Sequence, residues 1–435
     1  MVNNRILAPH QHLLEILNRR ASTWNMTVFS RIRGFLSEET VRQALEVAQY
    51  RHPYLNCRIV GDLDRLRFET EGTQKIPLRV VERIHEKHWQ EIVLSELNEK
   101  IDSSRYLMRA VLVRDEGENG TSHLITTVHH AIADGLSFLQ LQSEILTYCC
   151  PKNFAELLNQ VAQLPALSPL EELLPKPAKA SLENPTKIAE IDHLTVENLV
   201  SIDSRCSGWF YRQLDEGLIQ KLQKMTHQEK TTVNGALCAA MLLAIAKIIR
   251  QTKRTDSLRL SCESSINLRP YLEPAVSNEH LSWLISFVYS RHVIETNTAF
   301  WDLAREVRQQ IKEGLPHSVQ FNLAEFDREL AQKMLVSPNE LGITVEITNM
   351  GKLNIPTAYG SLELEEISLI FGQAGFAGVP ALAVTTFRGK AILNFLFSEP
   401  SISRETMEIL ADSVVYYLHE ACGEEVHTGL REMGI

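Results

Sequence analysis

The run from Leu124 to Leu146 fixes three consecutive pieces of local structure and leaves few folds open to this chain. Leu124-Ile125-Thr126-Thr127-Val128 is short, apolar and rich in β-branched residues, so it reads as a strand. His129-His130-Ala131-Ile132-Ala133-Asp134 interrupts that pattern. Near Gly135 a helix begins, with Leu136, Leu139, Ser143 and Leu146 at helical spacing. A strand that turns through two histidines into a helix can present an imidazole to a pocket, where it can accept a proton near neutral pH. Asp134 can fix the turn by pairing with a cation, and Gly135 lets backbone or substrate come close.

The other signals are mixed in order. Ser37 is a good N-cap, with Glu38 and Glu39 in the first turn and Val41, Ala44, Leu45 and Ala48 at helical spacing. Pro53 ends that helix, and Leu55 to Val60 reads as a strand. A helix is expected over His88 to Leu97, and a strand over Leu107 to Val113 ahead of a polar turn at Asp115 to Gly120. Six prolines fall between 151 and 200, with Lys176, Lys179 and Lys187 nearby, which predicts an extended linker. Beyond it come strands at Gly208–Arg212, Leu258–Leu268, Trp283–Val293 and Ile343–Ile347, and helices at Glu216–Met225 and Ala299–Lys312. Thr231 or Thr232 caps a long apolar helix reaching Ile249. Arg388-Gly389-Lys390 joins two antiparallel strands, Ala381–Phe387 and Ile392–Phe397, and Arg404–Tyr417 is an amphipathic helix. Strands and helices in this order predict an α+β fold rather than a doubly wound parallel sheet. At 435 residues the chain suits two domains, expected at 1–178 and 201–435 with the linker at about 151–200.

A net charge of −10 speaks against nucleic acid and against an anionic membrane surface as partners. The longest apolar run, Ala236–Ala246, is shorter than a bilayer span, so no transmembrane segment is expected. Seven scattered cysteines show no metal-binding spacing, and the N-terminus has no apolar core of signal-peptide length. Together these read as free thiols in a reducing cytoplasm.

Acyl transfer from a thioester, the reaction implied by the family resemblance described next, turns on its leaving group. A thiolate departs readily because its thiol has a pKa of about 8.5, whereas a hydroxyl nucleophile needs deprotonation as it attacks. One neutral imidazole supplies that help without a covalent enzyme intermediate, and no G-x-S-x-G elbow is present. His129 reads as structural, holding the loop or its neighbour's tautomer. Adjacent histidines suit a zinc site poorly, and His85-Glu86-Lys87-His88 has the wrong gap for a metalloprotease helix, so no metal is expected. Gly135 opens a helix whose first N–H groups could stabilise an oxyanion, beside the bland reading of an ordinary helix-start glycine.

The His129–Gly135 element resembles the active-site motif of the condensation-domain superfamily. That group includes condensation domains of nonribosomal peptide synthetases, alcohol acetyltransferases, plant-type CoA-dependent acyltransferases and the polyketide-associated acyltransferases. Arg51-His52-Pro53-Tyr54-Leu55 is similar to the family's early R-H-P-x-L segment. Ser265-Ile266-Asn267-Leu268-Arg269-Pro270 resembles its N-L-R strand, Ile347-Thr348-Asn349-Met350-Gly351 its S-N-x-G segment, and Phe387–Lys390 with Leu393–Phe395 its closing hairpin. The D-F-G-W-G motif of the plant-type branch is absent. The resemblance implies two chloramphenicol-acetyltransferase-like domains forming a pseudo-dimer around an interdomain channel, with mixed or antiparallel sheets flanked by helices. It implies His130 as the catalytic base and Asp134 paired structurally with Arg269, beside the bland reading of Arg269 as an exposed strand-end cation; Asn349 and Gly351 either line the pocket as substrate contacts or simply form a turn after a strand. It also implies a cofactor-free acyltransferase whose donor is acyl-CoA or a phosphopantetheine-linked acyl group. The acceptor would be a hydroxyl or an amine, and partners would include an acyl carrier protein or a polyketide or peptide synthase. Ester formation is the first reading. Amide-forming condensation, or a non-catalytic carrier-docking module, are the alternatives.

Overall fold

The computed structural model describes residues 2, 4–21, 23–114, 120–150, 154–174, 191–320 and 342–424. In chain order the first lobe contains α1 (Pro9–Ala21), β1 (Met26–Arg33), α2 (Glu38–Arg51), β2 (Arg58–Val60), β3 (Arg67–Glu69), β4 (Leu78–Glu82) and α3 (His88–Asn98). It continues with β5 (Met108–Arg114), β6 (Thr121–Val128) and α4 (Gly135–Tyr148), followed by two short helices, α5 (Phe154–Gln160) and α6 (Leu170–Leu173). The remainder is β7 (Cys206–Leu214), α7 (Glu216–Gln228), α8 (Val233–Thr252), β8 (Ser257–Asn267), β9 (Ile285–Glu295), α9 (Phe300–Gln320), β10 (Val345–Lys352), β11 (Ala358–Tyr359), β12 (Leu362–Phe371), β13 (Ala381–Phe387), β14 (Lys390–Glu399) and α10 (Arg404–Ala421).

Two six-stranded sheets organise these elements, in the orders β11-β12-β1-β6-β5-β4 and β7-β14-β13-β10-β8-β9. Both are mixed. β4 and β5 run parallel in the first sheet, and β10 runs parallel to β8 and β13 in the second. The fold is α+β, with two lobes of chloramphenicol-acetyltransferase type meeting face to face. The sheets do not respect the expected division at 151–200, because β11 and β12 leave the second half of the chain to complete the first sheet. β12 pairs antiparallel with β1 from Met26↔Phe371 to Arg33↔Glu363. Asn394 on β14 stitches the lobes further: it accepts from Trp209 Nε1 at 3.0 Å and donates to Ser368 Oγ on β12 at 2.7 Å.

Local chemistry explains several boundaries. Ser37 caps α2 by accepting from the Thr40 N–H, and Thr232 caps α8 through the Gly235 N–H. Arg388 and Gly389 both adopt positive φ (50° and 80°), the two-residue turn whose twist matches the flanking strands β13 and β14. By length and composition α8 could cross a bilayer. It is instead the core helix of the second lobe, buried from Ala236 to Leu242 against α9, α10 and the sheet.

The linker corrects one expectation. Proline-free stretches before Pro165 and after Pro169 are long enough for one or two helical turns, so 154–173 holds α5 and α6 instead of running extended. Leu170 is buried, and Phe154, Leu157 and Leu158 pack against the first core. The lysines and later prolines of this window, and 115–119 of the expected turn, lie outside the described residues. All seven cysteines carry free thiols.

Candidate active site

β6 sits between β1 and β5, so its end is held on both sides: Val128 is opposite Met26 and Met108. His129 follows immediately, its N–H donating to the Leu107 carbonyl at 2.9 Å. Its ring is fully buried. Nδ1 accepts from the Ala131 N–H at 3.1 Å, which leaves the proton on Nε2, and Nε2–H donates to Glu15 Oε2 at 2.8 Å. Glu15, on α1, also accepts from Ser103 Oγ and Arg19 Nε, each at 2.6 Å. Burial pulls the Glu15 pKa up, but the hydrogen bond and charge of His129, with Ser103 and Arg19, hold it below the usual carboxylate value. α1 braces the same loop again: Gln11 Nε2 donates to the Ala131 carbonyl at 3.0 Å. His129 is thus a buried strut of the loop.

His130 has a different environment. Its Nδ1 lies 2.7 Å from the Ala133 carbonyl, which can only accept, so the proton sits on Nδ1 and Nε2 keeps its lone pair. Burial pushes the His130 pKa down to about 4, against the opposing pull of the Ala133 carbonyl and the Asp134 carboxylate. At neutral pH the ring is uncharged, the form in which Nε2 can accept a proton.

Asp134 has no capacity to spare for chemistry. Oδ1 accepts from the Ser137 N–H and hydroxyl, both at 3.0 Å, which caps α4. Oδ2 accepts from Arg269 Nη1 at 2.6 Å and from the Leu284 N–H at 3.0 Å. Both partners belong to the second lobe, and the ion pair is buried (Asp134 side chain 0% exposed, Arg269 4%). A second tie runs through the Arg51-His52 segment. Arg51 lies 2.8 Å from Glu279 and 3.2 Å from Glu144, and His52 Nε2 lies 2.9 Å from Glu144.

His130 and Gly135 line a cavity between the two sheets. The first lobe adds Trp24, Met26, Leu369 and Phe371; the second adds Ser265, Ile285, Phe287, Glu346, Thr348 and Met350. The cavity is narrow, about 40 Å³, with room for only a few waters. Met350 packs against Gly135. A Cβ added at Gly135 would lie 2.6 Å from its Sδ. Gly135→Val should therefore drive the thioether into the cavity and lower turnover at least tenfold with the fold intact. Adding Met350→Ala should restore part of the rate, as followed by steady-state kinetics and circular dichroism. Wild-type turnover in Gly135→Val would discard that role for the glycine.

Asn349 and Gly351 are not among the residues that line this cavity, and they take the turn reading. Side chains alternate along β10, so Glu346, Thr348 and Met350 face inward and Asn349 faces away. Asn349 Oδ1 accepts from the Gly351 N–H at 2.9 Å, and Gly351 takes a positive φ of 66°, so the two form a turn. The sequence reading also missed Glu15 and the cavity residues Trp24, Ser265, Glu346 and Thr348. An acidic residue between Leu14 and Ile16 in an apolar helix was the available sign for Glu15.

Comparison with known proteins covers both lobes. Residues 3–161 match the family model of the condensation domain, and residues 211–395 match that of the phthiocerol/phthiodiolone dimycocerosyl transferase C-terminus. No curated protein matches the sequence significantly. Among solved structures, polyketide synthase associated protein 5 from Mycobacterium tuberculosis is similar at 15% identity and a TM-score of 0.68, covering 96% of this chain and 99% of that one. Trichothecene 15-O-acetyltransferase from Fusarium sporotrichioides superposes with a TM-score of 0.73 at 12% identity, over 97% of this chain and 95% of its own. The first condensation domain of the calcium-dependent antibiotic synthetase gives 0.70 at 14% identity, covering 97% of each chain.

Proposed function

Because the chain belongs to the superfamily of condensation domains and acyltransferases, we propose that it moves an acyl group from a thioester to a hydroxyl acceptor and forms an ester. His130 Nε2 takes the hydroxyl proton as the oxygen attacks the thioester carbonyl. The tetrahedral adduct then collapses, the carbon–sulfur bond breaks, and the imidazolium returns the proton to the departing thiolate. No enzyme-bound acyl intermediate is needed, since the donor is already activated. In this reading the first N–H groups of α4, which starts at the cavity-lining Gly135, stabilise the oxyanion. The observation that carries this reading is the uncharged His130 ring, with its tautomer set by Ala133 and its place in a cavity between two lobes.

The donor is acyl-CoA or an acyl group on a carrier protein's phosphopantetheine arm, used as a substrate rather than held as a cofactor. A carrier protein or a polyketide or peptide synthase in the cytoplasm is the corresponding partner. The condensation-domain match over residues 3–161 favours amide formation as a second reading, with the same base acting on an amine.

The test mixes the protein with acyl-CoA and acyl-carrier donors and a panel of alcohols and amines. Thiol release and product mass are then measured. Ester masses accompanied by stoichiometric thiol are expected. Amide masses alone would move the assignment to condensation, and no thiol release with any donor would favour a carrier-docking protein.

A further inference from the structure

The inner end of the cavity carries a feature that proton abstraction by His130 does not use. Glu346 on β10 is the register partner of Glu263 on β8, and Glu263 is directly opposite Tyr289 on β9. Adjacent strands lie about 4.8 Å apart, so two carboxyl groups stand side by side on one face of the sheet. Glu346 lines the cavity, as does Ser265, two residues from Glu263 on the same strand. Both glutamates are more than nine-tenths buried (4% and 6% exposed); Tyr289 hydrogen-bonds to Glu263 and Gln373 lies against Glu346, but among the described residues no lysine or arginine pairs with either.

Neighbouring groups leave hydrogen-bonding capacity unused at the same place. Gln373 is fully buried, and its Nε2 donates to the Val379 carbonyl while its Oε1 receives no donor. The Trp24 indole N–H lies within reach of Glu346 but makes no hydrogen bond of normal geometry. Burial raises the Glu263 pKa to about 7, and burial together with the charge of Glu263 raises that of Glu346. Two carboxyls this close share one proton, so the pair holds a single desolvated negative charge that no ion pair among the described residues neutralises.

A compact positive group with several N–H donors would complement this charge. Aromatic walls from Trp24 and Phe287 also favour a cation there. Along β10, Met350, the neighbour of Gly135, is four positions beyond Glu346, a distance of about 13 Å. The walls between are apolar: Met26, Ile285, Leu369 and Phe371.

We infer that the Glu263–Glu346 pair is a subsite for a protonated amino group, so that the acceptor is an apolar molecule with its ammonium about 13 Å from the reacting hydroxyl. The ammonium is a recognition handle and not the nucleophile. The inference takes the hydroxyl acceptor at His130 from the proposed transfer reaction.

Calorimetric binding to the full-length protein tests it without turnover. The probes are 8-amino-octan-1-ol and octane-1,8-diol, which match in length and differ in charge. At pH 8 the wild type should bind the amino alcohol at least tenfold more tightly. In the double variant Glu263→Gln/Glu346→Gln that ratio should fall to within twofold, since either glutamate alone can still ionise. Wild type titrated from pH 8 to 5.5 gives a second measurement that needs no variant. The preference should shrink as the pair takes up its second proton. Tyr289 on β9, Trp24 and Gln373 are the other groups facing the pair, Arg291 acts on Tyr289, and His130 stays neutral over this range. Equal wild-type affinities, or a preference that survives in the double variant, overturn the subsite. Thiol release by the wild type decides the transfer reaction separately.

Discussion

Replacing His130 with alanine should lower thioester-dependent product formation by about 10²–10⁴-fold, the usual contribution of a positioned general base. The melting temperature should stay near that of the wild type, because the ring's one resolved hydrogen bond, Nδ1–H to the Ala133 carbonyl, closes a short local turn. The pH profile gives an independent reading of the same group. Only the neutral ring is a base, and burial has pushed its pKa down to about 4. The rate should therefore stay flat as pH falls through 6.5 and drop about tenfold per unit only below about pH 4. Stability must be followed in parallel. The unfolded ring takes up its proton near 6.5 and the folded ring only near 4, so its contribution is intact above 6.5 and is lost as pH falls through that interval. An acid limb in kcat/KM centred near 6.5, with the protein still folded, would mean a solvated ring. A His130→Ala enzyme with more than a tenth of wild-type activity would remove it from the chemistry.

Asp134→Ala and Arg269→Ala should each destabilise the protein by about 3–5 kcal/mol, because each strands a charge in the interior. Asp134→Ala should be the worse of the two. It also removes the cap of α4, at about 1 kcal/mol, and leaves the buried Leu284 N–H without its acceptor. Chemical denaturation measures both, and the double variant should cost less than the sum of the singles, since the partners share one interaction. Activity should fall along with the folded fraction. A soluble Asp134→Ala protein with wild-type melting and no turnover would instead make this carboxylate part of the reaction.

The loop from His129 to Gly135 was legible because its signals are local: a β-branched strand, a capping aspartate and a helix-start glycine lie within a dozen residues. Its supports were not. Glu15 meets His129 across 114 positions of sequence, and nothing in the pattern of α1 announces that distance. Asn349 and Gly351 were chosen by motif, but β10 alternates, so the inward positions were their neighbours Thr348 and Met350. β1 escaped because its first five residues are buried on both faces, with Thr27 hydrogen-bonded to Thr127, so hydrophobic alternation is missing. β12 alternates only over Leu362–Glu365 before Glu366 breaks the pattern. These two strands pair with each other, so one gap in the reading concealed the other.

The crossover of β11 and β12 bears on how such an enzyme can be divided or recombined. A gene cut at residue 178 would encode a first half whose central strand, residues 26–33, has an open flank of unpaired N–H and C=O groups along its whole length. The other fragment would carry a ten-residue ribbon with nowhere to dock. The two halves are thus poor units for swapping between homologues, and a productive chimera would have to inherit 358–371 together with the amino-terminal half.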